Sequence, residues 1–416
     1  MFLLTSLSLL SIQMVQTYGW RNNKLLYLNI SKKSREYIFS AFLLNERKNK
    51  MIILNHAYVL NPTSNEFEKK KLVMKDQYIH AILDCNTTIE QENLYQNIDA
   101  SSLYITPGLI DACSQIGLKE TGIRWEGNDS YEPTQEINTI LSVVDGIYPF
   151  DPSFKLAIST GVTSAHIMST AENVVGAYSA IIHMDGATVD EMLITNNVGL
   201  SFSMGDVPKK AFFDFTKKPL TRMGIANIIR QTIQKLRVDG LPLDFPFFIR
   251  CHRADDIETA LRIQKELQAN FTLVHATEFA LIDTDAKKEI SQVIAGPVFQ
   301  AIERFELKNL HPSLFNQLQT TDILSCNATD HPISSVSHLK LESSLAIREG
   351  VSRNNALRSL TTDAAKILQI DHLTGSITTG LYADVVVWDQ HPLNLTAKVL
   401  STFIKGKEVY KGSDCK

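Results

Sequence analysis

Acids and imidazoles stand at the ends of several apolar β-type runs that lie far apart along the chain. Met204-Gly-Asp-Val-Pro208 closes one run with Asp206, and Ile249-Arg-Cys-His252 closes another with Arg250 and His252. Leu273-Val-His-Ala-Thr-Glu278 supplies His275, and Asn327-Ala-Thr-Asp-His-Pro332 supplies Asp330 and His331. Earlier, Ile105-Thr-Pro-Gly-Leu-Ile-Asp-Ala-Cys-Ser-Gln-Ile-Gly117 carries Asp111, then Cys113 and Gln115, which share one strand face because side chains alternate with period two. A single strand-end histidine is more often a satisfied core residue than a ligand. A set of such residues is what convergent chemistry needs: a cation that lowers the pKa of bound water, and a carboxylate that takes the proton.

The elements that must position these residues form a series. After 103–112 come Gly161–Met168, Ala177–Met184, Gly199–Met204, Pro246–His252, Phe271–Ala276, Gln292–Gly296 and Asp322–Asn327, each short and apolar. Amphipathic stretches at Ile225–Arg237, Asp256–Leu267 and Ser352–Leu368 separate several of them. Strands alternating with helices over residues 105–374 predict an α/β fold of the (β/α)8 TIM-like barrel type, whose chemistry lies where strands end and loops begin. Ala177–Met184 reads either as the third strand or as part of a hairpin, bracketed by 173–176 and Asp185-Gly186. Short β-type runs also occur at Met51–Leu60, Lys71–Leu83, Ala383–Asp389 and Thr402–Tyr410.

A chain of 416 residues, 44% of them hydrophobic, can bury one large core and a smaller one. The formal net charge is -4, and lysines and arginines are scattered, so no nucleic-acid surface is expected. The five cysteines, Cys85, Cys113, Cys251, Cys326 and Cys415, are odd in number and widely spaced, which fits a reducing cytoplasmic location rather than a disulfide framework. The apolar run 2–10 is too short to span a bilayer and has no positive charge before it, so no membrane partner is expected. Residues 1–50 read as an extension. Glu46-Arg-Lys-Asn-Lys50 can be encoded by a purine-rich stretch of the kind that forms a bacterial ribosome-binding site, so a true start at Met51 is preferred over a signal-like segment.

The Pro107-Gly-Leu-Ile-Asp111 frame resembles the first barrel strand of the metal-dependent amidohydrolase superfamily, which usually reads Pro-Gly-hydrophobic-Ile-Asp-x-His-x-His. Further phrases carry the resemblance to the imidazolonepropionase-like subgroup: Ala171-Glu-Asn-Val-Val-Gly176, Pro219-Leu-Thr-Arg-Met-Gly224, Arg253-Ala-Asp-Asp-Ile257, Thr329-Asp-His-Pro332 and Ala346-Ile-Arg-Glu-Gly350. At the C-terminal end, Thr374-Gly-Ser-Ile-Thr-Thr-Gly-Leu-Tyr-Ala-Asp-Val-Val-Val-Trp388 resembles the closing module in these proteins. The resemblance implies a composite β-sandwich made of 51–104 and 375–412 beside the barrel. It also implies hydrolysis of a non-peptide C–N bond in a cyclic or linear amide, on a small-molecule substrate, in a protein that can form a homo-oligomer. Asp330 takes the place of the proton-carrying aspartate and His275 that of the strand-six ligand.

The departures fall on the metal. Cys113 and Gln115 stand where two histidines belong, Asp206 where a glutamate is usual, and Arg250 where the first histidine of the strand-five phrase is expected. Arginine cannot bind a cation. Two readings follow. In one, a single divalent metal, zinc by preference, is held by Asp206, His252 and His275, with Asp330 as proton shuttle and Cys113 as a further candidate ligand. In the other, no metal binds: Arg250 pairs with Asp206 or Asp330, fills the metal's place, and the fold serves binding or structure. Arg222, Asn173 and His331 are the candidate substrate contacts. Arg222 can alternatively anchor its own loop, and Asn173 is chosen by its position alone. His166 and His183, inside apolar runs, are expected in the core or directly behind the site residues.

Overall fold

The computed structural model describes residues 51–90, 95–122, 124–211, 221–321 and 323–412. The expectations for residues 1–50, for Asp322 and for Cys415 lie outside the described residues. Chain order begins with β1 (Met51–Leu60), β2 (Phe67–Lys75), β3 (Tyr78–Asp84), β4 (Gln96–Asp99) and β5 (Tyr104–Pro107). The α/β portion follows with β6 (Leu109–Ser114), β7 (Val162–Ile167), β8 (Val175–Tyr178), β9 (Ala180–His183), β10 (Leu193–Thr195) and β11 (Leu200–Ser203). It continues with β12 (Pro246–Cys251), β13 (Asn270–His275), β14 (Gln292–Ala295) and β15 (Leu324–Asn327). The chain returns to the first region in β16 (Val385–Trp388), β17 (Val399–Ile404) and β18 (Lys407–Lys411).

One mixed sheet joins the two ends of this sequence: β5 runs parallel to β1 on one side and antiparallel to β16 on the other, in the order β18-β17-β16-β5-β1-β2-β3 with β4 also on β1. Ile52, Leu54, Val59, Leu72, Met74, Ile105, Val385, Val387 and Phe403 form its apolar core. Two buried polar links tie the sheet to the α/β portion: His183 Nε2 lies 3.0 Å from Asp384 Oδ2, and Thr402 Oγ1 donates to the Ile158 carbonyl at 2.9 Å.

The strands that carry the candidate residues are parallel neighbours. β11, β12, β13, β14 and β15 form one ladder in sequence order, with the helices Arg222–Val238 and Ala254–Leu267 in its crossovers. Burial on both faces explains why these strands read as continuous apolar runs. Period-two alternation sorts their side chains. On β12, Phe247, Ile249 and Cys251 pack into the larger core, whereas Phe248 joins Ile110, Cys113, Val274, Ile294 and Cys326 on the opposite face. Arg250 shares parity with Phe248, so the strand itself delivers a guanidinium to the interior. The residue is 2% exposed.

The third strand departs from a regular strand–helix alternation. β9 runs antiparallel to both β7 and β10, and β8 antiparallel to β11. Residues 168–174 are too few for a crossover helix, and parallel pairing needs a dozen or more connecting residues. The hairpin alternative holds here. β6 and β7 pair in parallel in this second sheet, and the loop after β15 returns to β6 through a bridge between Ser114 and His331. Among the described residues no helix is long and apolar enough to cross a membrane.

Candidate functional site

The ends of β6, β12, β13 and β15 bring Cys113, Gln115, Arg250, His252, His275 and Asp330 together. Asp330 is the hub. Its backbone N–H donates to the Cys113 carbonyl at 2.9 Å, and its Oδ1 accepts from Cys113 Sγ at 3.2 Å, Gln115 Nε2 at 2.8 Å and Arg250 Nη1 at 2.8 Å. Burial alone would raise the pKa of this carboxyl, but the adjacent Arg250 charge outweighs it and holds Asp330 well below the usual carboxylate range. The same carboxylate keeps Arg250 fully charged against its burial. Burial pushes the Cys113 thiol well above its ordinary value, so it is a neutral hydrogen-bond donor here.

Two backbone irregularities aim the site. Regular alternation along β13 would send His275 outward with Leu273, but His275 and Ala276 both have left-handed backbones, φ 75° and 49°. Asp330 does too, at φ 47°. Non-glycine residues in this region cost of order 1 kcal/mol or more and cluster where geometry is functionally fixed.

The two imidazoles stack, with centroids 4.5 Å apart and planes 10° from parallel. Nδ1 of His275 donates to the Gly296 carbonyl at 2.7 Å, which leaves its Nε2 as a lone pair; that lone pair accepts from Arg250 Nη1 at 3.3 Å. His252 repeats the arrangement. Its Nδ1 donates to Thr277 Oγ1 at 2.8 Å, and its Nε2 accepts from Arg304 Nη2 at 3.3 Å. The other arm of Arg304 donates to Asp206 Oδ1 at 3.1 Å. The tautomers follow from these neighbours, since guanidinium can only donate. Burial lowers the pKa of His275 to about 4 and holds that of His252 well below its ordinary value, so both rings are neutral at neutral pH. The 3.7 Å approach of His275 Nε2 to Asp330 Oδ2 is therefore not an ion pair there.

A cavity of about 380 Å³ opens over this cluster, floored by Gln115, His252, His275 and Asp330 and rimmed by Lys119, Glu172, Glu303 and Arg304. The other residues singled out in the sequence lie elsewhere. Asp206 opens a short helix rather than facing the imidazoles. Gly205 before it has φ +94°, and a Cβ there would lie 2.6 Å from the Glu306 carboxylate, so the chain turns away at this point. Arg222 reaches Asp256 at 3.0 Å and also donates to Glu306, which fixes the start of its own helix, and it does not line the cavity. Asn173 is buried, accepting from Glu132 N and donating to the carbonyls of Glu132 and Gln135; it pins a loop. His331 is buried with Nδ1 accepting from Val336 N at 3.2 Å, and burial lowers its pKa to about 4. His166 lies in the core with Nδ1 at 3.1 Å from the Ala112 carbonyl.

Two functional residues escaped the sequence reading, Arg304 and Glu306. Glu306, almost fully buried, accepts from Asp206 N and Arg222, and burial raises its pKa to about 8. Both lie in the loop after β14, where no periodicity marks them; the only available signal is the cluster of charge in Glu303-Arg-Phe-Glu306.

A parallel-strand ladder with chemistry gathered at the strand ends, beside a mixed sheet built from both ends of the described chain, is an amidohydrolase-like α/β architecture. Comparison with known proteins agrees. The profile of the amidohydrolase family matches residues 252–409. The crystal structure of an amidohydrolase from Thermotoga maritima MSB8 superposes with a TM-score of 0.80 at 28% identity, covering 87% of this chain and 100% of that one. By this profile match and this superposition the chain is similar to proteins of the amidohydrolase superfamily. A Xaa-Pro dipeptidase structure shares the fold at TM-score 0.59 and 14% identity over 87% of this chain and 100% of that one. Amidohydrolase tasK of Hapsidospora irregularis is 22% identical over 360 residues, covering 74% of this chain, and the chain spans about a third of that relative's length (36%). Protein LONG AFTER FAR-RED 3 of Arabidopsis thaliana is 28% identical over 114 residues, 23% of this chain and 20% of that protein.

Members of this superfamily usually bind a metal, and the donor set present here does not fit one. A metal-binding imidazole needs a free lone pair, yet both Nε2 lone pairs already accept from a guanidinium. The oxygen of Asp330 that faces Arg250 already accepts three donors. Among the described residues, no group of three or more His, Cys, Asp or Glu side chains is disposed to hold a metal ion. The expected trio of Asp206, His252 and His275 is interrupted by Arg304, which stands between Asp206 and His252.

Proposed function

We propose that the chain is a small-molecule hydrolase of the amidohydrolase type, opening a non-peptide C–N bond in a cyclic or linear amide without a metal at the positions of Arg250 and Arg304. The observation that carries this reading is the convergence of His252, His275 and Asp330, from three separate strand ends, on the floor of one cavity of about 380 Å³. Its hydrolase homologues and the imidazolonepropionase-like phrasing support the reaction class. Arg304, one-third exposed at the rim, is placed to polarise a bound carbonyl. Asp330 Oδ2, turned from the three donors on Oδ1, accepts the proton of an attacking water and passes it to the leaving nitrogen. The same reading takes the two α/β sheets as a (β/α)8 barrel with a composite β-sandwich beside it. A cytoplasmic location is supported by the free Cys85, Cys113, Cys251 and Cys326.

One observation favours a second reading, a protein that binds such a molecule without turning it over. A general base works best with a pKa near the operating pH, and Arg250 holds Asp330 far below it. A panel of cyclic imides, lactams and N-acyl amino acids, assayed with and without chelator, separates the two. Turnover that persists in chelator and is lost in Asp330→Asn supports hydrolysis. Saturable binding without turnover supports the second reading. Turnover abolished by chelator and restored by zinc overturns the metal-free mechanism.

A further inference from the structure

Two copies of one motif meet at the cavity, which His252, His275, Asp330 and Arg304 line. Asp330, Arg250 and His275 form the first, with guanidinium contacts of 2.8 Å to the carboxylate and 3.3 Å to the ring nitrogen. Asp206, Arg304 and His252 form the second, at 3.1 Å and 3.3 Å. The two rings stack face to face, so the motifs lie side by side. In each, a permanent cation donates to one anionic oxygen and one imidazole lone pair, the pair of donor atoms that a borderline divalent ion takes.

We infer that Arg250 and Arg304 are the resident cations of this site, and that they make it refractory to divalent metals. Arg250 is locked: it is buried, and its Nη2 also donates to the Ser169 carbonyl at 3.0 Å. Arg304 is the displaceable one, with its side chain 34% exposed. Its loop is nevertheless held at both ends. Glu342 accepts from Val298 N and Phe299 N, and Glu306 accepts from Asp206 N and Arg222. A side chain so braced is placed rather than adventitious. Charge also balances in the first motif, one guanidinium against one carboxylate beside a neutral ring, so a divalent ion entering there would add two uncompensated charges.

This inference rests on the metal-free reading above but is tested without substrate, so its failure is distinct from a failure to find turnover. Zinc chloride is titrated into the full-length protein against a chromogenic chelator, with the ring nitrogens of His252 and His275 followed by ¹⁵N NMR. In the wild type, zinc leaves both sets of ring signals unmoved. Arg304→Met, which keeps the stem and removes the charge, binds one zinc at His252 at least about tenfold more tightly, as expected when a charged-group hydrogen bond no longer competes. Adding His252→Ala abolishes the gain. Arg304→Lys, which keeps a cation, behaves as the wild type. Zinc moving the His252 signals of the wild type as readily as those of Arg304→Met overturns the inference, as does a folded Arg304→Met with no gain. Should Arg304→Met fail to fold, the wild-type ring signals still decide.

Discussion

Replacing Arg250 by methionine keeps most of the side-chain volume and removes the charge. Asp330 then loses its closest ionic partner, a 2.8 Å contact between a 3%-exposed guanidinium side chain and a 13%-exposed carboxylate side chain, while Cys113 and Gln115 still donate to it. Breaking one member of a buried pair leaves an uncompensated charge and costs about 3–5 kcal/mol. Against a total stability of roughly 5–15 kcal/mol that is a large loss. It has a pH signature. Asp330 in the wild type is held below its ordinary value, so its contribution is fully present above about pH 4 and is lost as pH falls toward the folded-state value. In Arg250→Met the buried carboxyl has no cation and its pKa rises, so acid helps the variant. Urea unfolding at pH 7 and below pH 4 should show the gap between the two proteins narrowing on acidification. A double-mutant cycle with Asp330→Asn should return a coupling of about 2 kcal/mol or more. A loss below about 1 kcal/mol, equal at both pH values, would refute the reasoning.

Three further outcomes are expected. His275 and His331 both have folded pKa values of about 4 against an ordinary value of about 6.5. Their neutral rings therefore favour the fold fully above pH 6.5, and each should cost about 2 kcal/mol as pH falls to about 4.5, read as the slope of unfolding free energy against pH. Asn173→Ala removes three hydrogen bonds from a buried side chain and should cost about 2–3 kcal/mol, with limited proteolysis appearing near Glu132–Glu136 and no selective loss of ligand affinity. Arg222→Ala should lower stability by about 2–4 kcal/mol through the buried Asp256 and Glu306, and leave the dissociation constant of any cavity ligand within about threefold. A hundredfold loss of affinity at unchanged stability would instead make Arg222 a substrate clamp.

Much of the fold was legible because buried parallel strands are written as apolar runs whose ends carry the polar residues. That logic marked Asp330, His275 and His252, and the replacement of a ligand by Arg250 pointed to a pairing with Asp206 or Asp330; the structure pairs it with Asp330. The partner of Asp206 was not legible. Arg304 comes from a loop nearly a hundred residues away, and loop side chains follow no period that would announce where they reach. Asp206 was grouped with the imidazoles because it closes an apolar run where the resembled family has a strand-end glutamate; the left-handed Gly205 turns the chain at that point. Asn173 and Arg222 were polar residues near the right loops, but their partners were backbone groups and buried acids, which a sequence scan does not reveal. The third strand failed as a regular repeat unit because 168–174 leaves no room for a crossover helix.

The most direct test is a crystal structure of the protein grown in zinc, with anomalous scattering recorded at the zinc edge. The account predicts Arg250 within hydrogen-bonding distance of Asp330 and His275, Arg304 between Asp206 and His252, and no anomalous peak among them. A zinc peak ligated by His252, His275 or Asp330, with either guanidinium swung aside, would contradict it.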